Sequence, residues 1–145
     1  MNMPIPYFKP ENQNEIWNDV SDFKTKNPEG KLAKVVLKDF NWYYNQWGPE
    51  QSDKALAAVI EAFKQNSGAI EWFAYRNYGR WLVGFNQDGA EKKIAEEISQ
   101  LEIDAGSHAP VTLSLKERTV ELNPAKVQAE IQYVEVNSAE ELFKK

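Results

Sequence analysis

The segment 69–86 constrains the fold of this chain more than any other. Ile70-Glu71-Trp72-Phe73-Ala74-Tyr75 and Arg80-Trp81-Leu82-Val83-Gly84-Phe85 are dense in aromatic and branched residues, which favour a pleated surface. They are joined through Asn77-Tyr78-Gly79, where the glycine admits the positive φ that a tight hairpin turn requires. Strand alternation sends Ile70, Trp72 and Ala74 to one side and Glu71, Phe73 and Tyr75 to the other. Aromatic side chains therefore lie on both sides of the hairpin. One side can serve as core; the other has to be covered by the rest of the chain or used.

The remaining segments supply candidates for that cover. Prolines at 4, 6 and 10 hold residues 1–11 as an extended arm. Ile16, Trp17, Val20 and Phe23 recur at helical spacing and predict an amphipathic helix over 13–26. Asn27-Pro28-Glu29-Gly30 stops that helix. Alternation predicts a strand over 31–40, after which the aromatic stretch 41–49 reads either as the strand's end or as a packed loop. Ser52-Asp53 opens a second helix that ends at Asn66-Ser67-Gly68. A third is expected over 89–101, with Ile94, Ile98 and Leu101 inward and Glu91, Glu96 and Glu97 outward.

Beyond a loop at 102–110, residues 111–115 read as a strand, continued or paired through 119–122, and 127–133 as a half-exposed antiparallel strand. A short helix over 138–143 is expected, with Ser138 as its cap and Glu141 in the capping-box position. The whole is a single α+β domain, 1–145. It comprises an N-terminal helix followed by β-α-β-β-α-β, the ferredoxin-like order, then an extra C-terminal strand and the terminal helix. This order implies an antiparallel four-stranded sheet carrying two helices on one face.

Composition removes several classes of function. With no cysteine among 145 residues there is no thiol nucleophile, disulfide or thiolate metal site. The net charge of -5, from 22 acidic and 17 basic residues interspersed along the chain, disfavours nonspecific nucleic-acid binding, which relies on a basic face. It suits a basic partner better. The N-terminus lacks the features of a secretory signal, and no apolar run approaches the roughly 20 residues needed to span a bilayer. A cytoplasmic location without membrane attachment is expected.

No catalytic or metal-binding constellation emerges. His108, the one histidine, sits in Asp104-Ala105-Gly106-Ser107-His108, where loop neighbours do not converge as a nucleophilic triad must. The pairs Glu96-Glu97 and Glu140-Glu141 point in different directions from their helices. Asp39 and Glu71 are strand carboxylates that a strand end would place in water. Gly79, Gly84 and Gly89 are too widely spread to cradle a phosphate. No cofactor and no metal are expected.

What remains is the aromatic set. More than half of the five Trp, six Tyr and seven Phe fall in two windows, 40–47 and 72–81. Base stacking, as in RNA-recognition domains, fits neither the pattern of 80–85 nor the acidic balance. A protein interface fits Trp, Tyr and Arg at a hairpin tip. The expected binding residues are Trp42, Tyr44, Trp47, Glu71, Phe73, Tyr75, Arg76, Tyr78 and Arg80. Two functions follow as expectations. The first is a small acidic, non-catalytic inhibitor or immunity-type protein that neutralises another protein, with a homodimer as one form of association. The alternative is a small-molecule-binding domain with an aromatic-lined pocket.

Overall fold

The computed structural model describes residues 13–134. The expected arm 1–11 and terminal helix 138–143 lie outside them. The elements run α1 (Gln13–Lys26), β1 (Lys31–Leu37), α2 (Phe40–Gln65), β2 (Ile70–Asn77), β3 (Arg80–Phe85), α3 (Ala90–Gln100), β4 (Val111–Ser114), β5 (Thr119–Leu122) and β6 (Ala129–Tyr133). Four strands form one antiparallel sheet in the order β2-β3-β1-β6, and β4 and β5 form a separate two-stranded sheet. The fold is α+β with the expected β-α-β-β-α-β order. Its last place, however, is taken by β6, and the strand expected to close the sheet at 111–115 instead joins β5 in an inserted hairpin.

Each sheet face is covered. Ala33, Val35 and Leu37 of β1 and Trp81, Val83 and Phe85 of β3 pack with Val59 and Phe63 of α2 and Ile94 and Ile98 of α3. On the reverse face, Leu32 and Leu82 meet Ile16 and Val20 of α1, with Trp17 and Trp72 against them. Full burial of a Val, Leu, Ile or Phe side chain is worth about 1.5–3 kcal/mol, so the faces hold the helices without disulfides. The approach of α1 depends on Gly84, where a Cβ would stand 2.8 Å from the Phe23 ring.

Two details of the hairpin follow from backbone irregularities. The strand register shifts between Ile70 and Trp72, so Ile70 joins the α2/α3 side while Trp72 joins the α1 side, a departure from simple alternation. Phe73 and Tyr75 are covered by the main core: Phe63 of α2 lies 5.2 Å from the Phe73 ring and Trp81 lies 5.0 Å from that of Tyr75.

The largest difference from expectation is in 38–51. The strand ends at Leu37, and residues 41–49 are neither strand nor loop but the first turns of α2. Gly48 (φ 80, ψ −174) breaks the helix, and Pro49 restarts it, proline being pre-organised for a first helical position. The buried residues Tyr43, Trp47, Gln51, Ala55 and Val59 nonetheless continue as one stripe at a spacing of four. Glycine and proline therefore mark a kink within a single covering element. A second correction concerns Glu91, expected outward but completely buried. It stands three and seven residues before Ile94 and Ile98, on the same inward stripe.

Candidate functional site

Three turns converge at one end of the sheet. The β2–β3 turn has Asn77 paired with Arg80 and positive φ at both Tyr78 (50) and Gly79 (70), the pattern of a type I′ turn. Gly79 is fixed by contact with α2, because a Cβ there would stand 2.7 Å from Cγ of Phe40. The Tyr75 hydroxyl accepts a hydrogen bond from the Gly79 backbone N–H at 3.0 Å, and the Leu37 N–H donates to the Gly79 carbonyl at 2.9 Å. The hairpin tip is thus clamped to the β1–α2 junction.

That junction turns at Asp39, which is left-handed (φ 56, ψ 26) and does not cap the helix with its side chain. Its Oδ1 instead accepts a hydrogen bond from Nη2 of Arg118 at 2.7 Å, bringing the turn between β4 and β5 to the same place. Below the junction, Phe40, Tyr43 and Trp47 form a packed aromatic column with centroids 6.1 Å and 4.8 Å apart. The Tyr43 hydroxyl donates to the Pro124 carbonyl at 2.8 Å, and Gln51 Nε2 donates to that carbonyl at 2.9 Å. Burial pushes the Tyr43 phenol above its ordinary pKa, opposed by its bond to Gln51.

Asp39, Phe40, Asn41, Trp42, Tyr78 and Arg80 line an open depression of about 470 Å³. Among the described residues, Asp39 and Tyr78 are the non-glycine residues with positive φ, and both lie here. Such backbone states cost on the order of 1–3 kcal/mol and gather at functional sites. Tyr78 is 63% exposed and Trp42 37%. The Arg80 guanidinium lies 5.9 Å from the Tyr78 ring centroid, within cation–π range. Arg76 falls where the register shifts between Tyr75 and Asn77, a bulge of the kind that re-aims a side chain. Burial, with Arg80 nearby, holds its guanidinium below its ordinary pKa.

The expected binding residues therefore separate into groups. Trp42, Tyr78 and Arg80 come together around the depression, with Arg76 at the adjoining bulge and Tyr44, 45% exposed, in the first turns of α2. Trp47, Phe73 and Tyr75 pack inward. Glu71 is exposed and accepts a hydrogen bond from Asn86 at 2.8 Å, toward the opposite end of the hairpin. Asp39, Asn41 and Arg118 were not anticipated as binding residues. No local signal links Arg118 to Asp39, because only the fold brings the two turns together. His108 is exposed in a turn whose backbone it closes by donating to Ala105 at 3.0 Å. Among the described residues there is no cluster of three or more His, Cys, Asp or Glu able to hold a metal.

Fold and site together define an α+β sandwich with an open, aromatic depression between its hairpin tip and the start of α2, to which the inserted hairpin is tied through Arg118 and Asp39. No protein family matches the sequence, and no curated protein does. Among solved structures, the chain is similar to the FimX GGDEF domain from Pseudomonas aeruginosa, with a TM-score of 0.56 and 10% identity, covering 91% of this chain and 81% of that one. At that identity the likeness is one of fold. No helix among the described residues is long and apolar enough to cross a membrane.

Proposed function

We propose that this chain is a non-catalytic binding module that engages another protein through the surface formed by Trp42, Tyr44, Tyr78 and Arg80. The observation that carries this reading is Tyr78. A type I′ turn favours Asn or Gly at that position, yet a tyrosine is held there in left-handed conformation with its ring in solvent beside Arg80 and Trp42. Tyrosine, tryptophan and arginine are the residues that dominate the energetics of protein interfaces. An inhibitor or immunity-type protein is the narrower version, in which the bound partner loses its own activity. The test compares wild-type protein with Trp42→Ala/Tyr78→Ala as immobilised baits in extracts of its own cells. At least one protein should be retained by the wild type and lost by the variant, and its activity should fall on stoichiometric addition of the chain. Identical retention by both baits contradicts the reading.

The depression itself suggests a second reading, a small molecule seated against the rings of Trp42 and Tyr78 and oriented by Arg80. A metabolite bound there would raise the melting temperature and quench Trp42 fluorescence, and the quench would disappear in Trp42→Phe. A metabolite panel that produces neither change removes this alternative.

A further inference from the structure

The outer strands of the main sheet are β2 and β6, and they differ as edges. In β2 the pairing with β3 shifts register near both ends, an irregularity that turns an edge away from further pairing. β6 pairs with β1 in unbroken register from Ala129 to Tyr133 and holds neither proline nor lysine, the residues that commonly blunt an exposed edge. Its hydrogen-bond phase is fixed at both ends of that ladder. The Lys38 N–H donates to the Gln128 carbonyl at 2.8 Å, and the Val134 N–H to the Leu32 carbonyl at 3.0 Å. Because hydrogen-bonded and non-hydrogen-bonded pairs alternate in an antiparallel ladder, the backbone groups of Glu130 and Gln132 turn toward β1, and those of Ala129, Ile131 and Tyr133 turn away from it. The Ala129 N–H is taken by Oγ of Ser99 in α3 at 3.3 Å. Ile131 and Tyr133 are left, each presenting a backbone donor and acceptor that have no partner among the described residues.

We infer that a second copy of this chain fills this edge, β6 against β6 in antiparallel sense, about a two-fold axis at Gln132. Ile131 of each copy then exchanges both backbone hydrogen bonds with Tyr133 of the other, so the free set is complementary to itself, as an isologous contact requires. An axis at Ile131 would instead oppose Ala129 to Tyr133, where Ser99 already stands in the place of the accepting carbonyl. With the axis at Gln132, the exposed Tyr133 ring lies beside the half-buried Ile131 of the other copy, on the α2/α3 side. On the α1 side Glu130 lies opposite Val134 and Gln132 opposite itself, so no like charges are opposed across the strands. The two hairpin tips stand at opposite ends of one continuous sheet, and the dimer presents the proposed contact surface twice, a gain in avidity for a multivalent partner.

The experiment uses the full chain, which has no cysteine of its own. At the axis the two copies of Gln132 form a non-hydrogen-bonded pair with Cα atoms about 4.5 Å apart, within disulfide reach. Each Glu130, exposed on the same face, lies opposite Val134 and out of reach of its own equivalent. Under mild oxidation Gln132→Cys should therefore form a covalent dimer at least about tenfold faster than Glu130→Cys. Unmodified wild-type chain should dimerise reversibly in sedimentation velocity. Gln132→Lys changes an exposed side chain and opposes two like charges across the axis, so it should weaken that association at least about tenfold. A wild-type chain that stays monomeric at every concentration overturns the inference. Equal cross-linking of the two cysteine variants, or a dimer indifferent to Gln132→Lys, also overturns it, since either result places the contact away from this edge. None of these measurements involves Trp42 or Tyr78, so failure here is distinguishable from failure of the proposed function.

Discussion

The two ends of the β1–β3 ladder use similar residues to opposite effect. At the end where β1 begins, Nζ of Lys31 donates to Asp88 at 2.7 Å and to Glu91 at 3.4 Å. The Tyr133 hydroxyl donates to the same Glu91 oxygen at 3.2 Å, and the Tyr133 ring lies 5.7 Å from the Lys31 ammonium. At the other end, Tyr78 and Trp42 face solvent beside Arg80 over an open depression. Tyr133 is almost as exposed as Tyr78, at 56% against 63%, so exposure does not distinguish them. The difference is that Tyr133 completes a circuit within the chain, whereas Tyr78 is held outward by a strained turn. One end is closed upon itself; the other stands open to solvent.

The comparison breaks most severely at Gly79. Gly79→Val places a branched side chain at φ +70 against Phe40, and the combined backbone and steric cost should be about 2–4 kcal/mol. Chemical denaturation would read the loss, and a cost under about 1 kcal/mol would mean that the tip is not clamped to α2. At the closed end, Glu91 is buried with Oε2 unpartnered among the described residues. Replacing such a carboxylate by a side chain of similar volume is often neutral. Glu91→Leu should therefore change stability by no more than about 1 kcal/mol in either direction. Lys31→Met, which strips the buried carboxylate of its cation, should lower the melting temperature more than Glu91→Leu does. The reverse ranking would show that the circuit holds the fold together through Glu91 itself.

The open end should respond in the other sense. Tyr78→Asn supplies the residue that the turn favours, so stability should rise by about 0.5–1 kcal/mol while partner binding is lost, a trade typical of functional surfaces. A simple loss of stability would mean that the tyrosine ring is structural. The smallest expected effect is that of pH at the closed end. The hydrogen bond and charge of Lys31 hold Asp88 below its ordinary value of 3.8. This contribution is fully present above pH 3.8 and disappears as pH falls through the lower folded value. Melting temperatures of wild type and Asp88→Asn should therefore converge below pH 3.8, and a constant gap down to acid would assign the effect to something other than ionisation.

Much of the fold was legible because its signals are local. The hairpin at 70–85, α1 and α3 follow from alternation, helical spacing and stop residues, and each is observed within a residue or two of its expected bounds. The start of α2 was hidden by Gly48-Pro49, which read as a boundary although the buried stripe runs straight through it. Glu91 was misplaced because its residue type outweighed its position on the inward face. The place of β6 in the sheet, next to β1, is a matter of long-range pairing.

The candidate site was legible in part for the same reason. Trp42, Tyr44, Tyr78 and Arg80 could be named from their residue types in two aromatic windows. That those windows meet, so that Phe40 packs on Gly79, depends on a helix beginning at Phe40. Phe73 and Tyr75 drew attention as the second hairpin face, but α2 covers that face and α1 the other. Most of the aromatic side chains in the two windows therefore turn inward, while Trp42 and Tyr44 at the start of α2 and Tyr78 at the hairpin tip are exposed.

The most direct test places the same photo-crosslinking residue, p-benzoylphenylalanine, at Tyr78 in one variant and at Tyr133 in another, each irradiated in its own cells. The two positions are similarly exposed and lie at opposite ends of the sheet. The account predicts a discrete adduct with another protein from position 78 and none with another protein from position 133. Such an adduct from position 133 with none from position 78, or equal labelling from both, would contradict it.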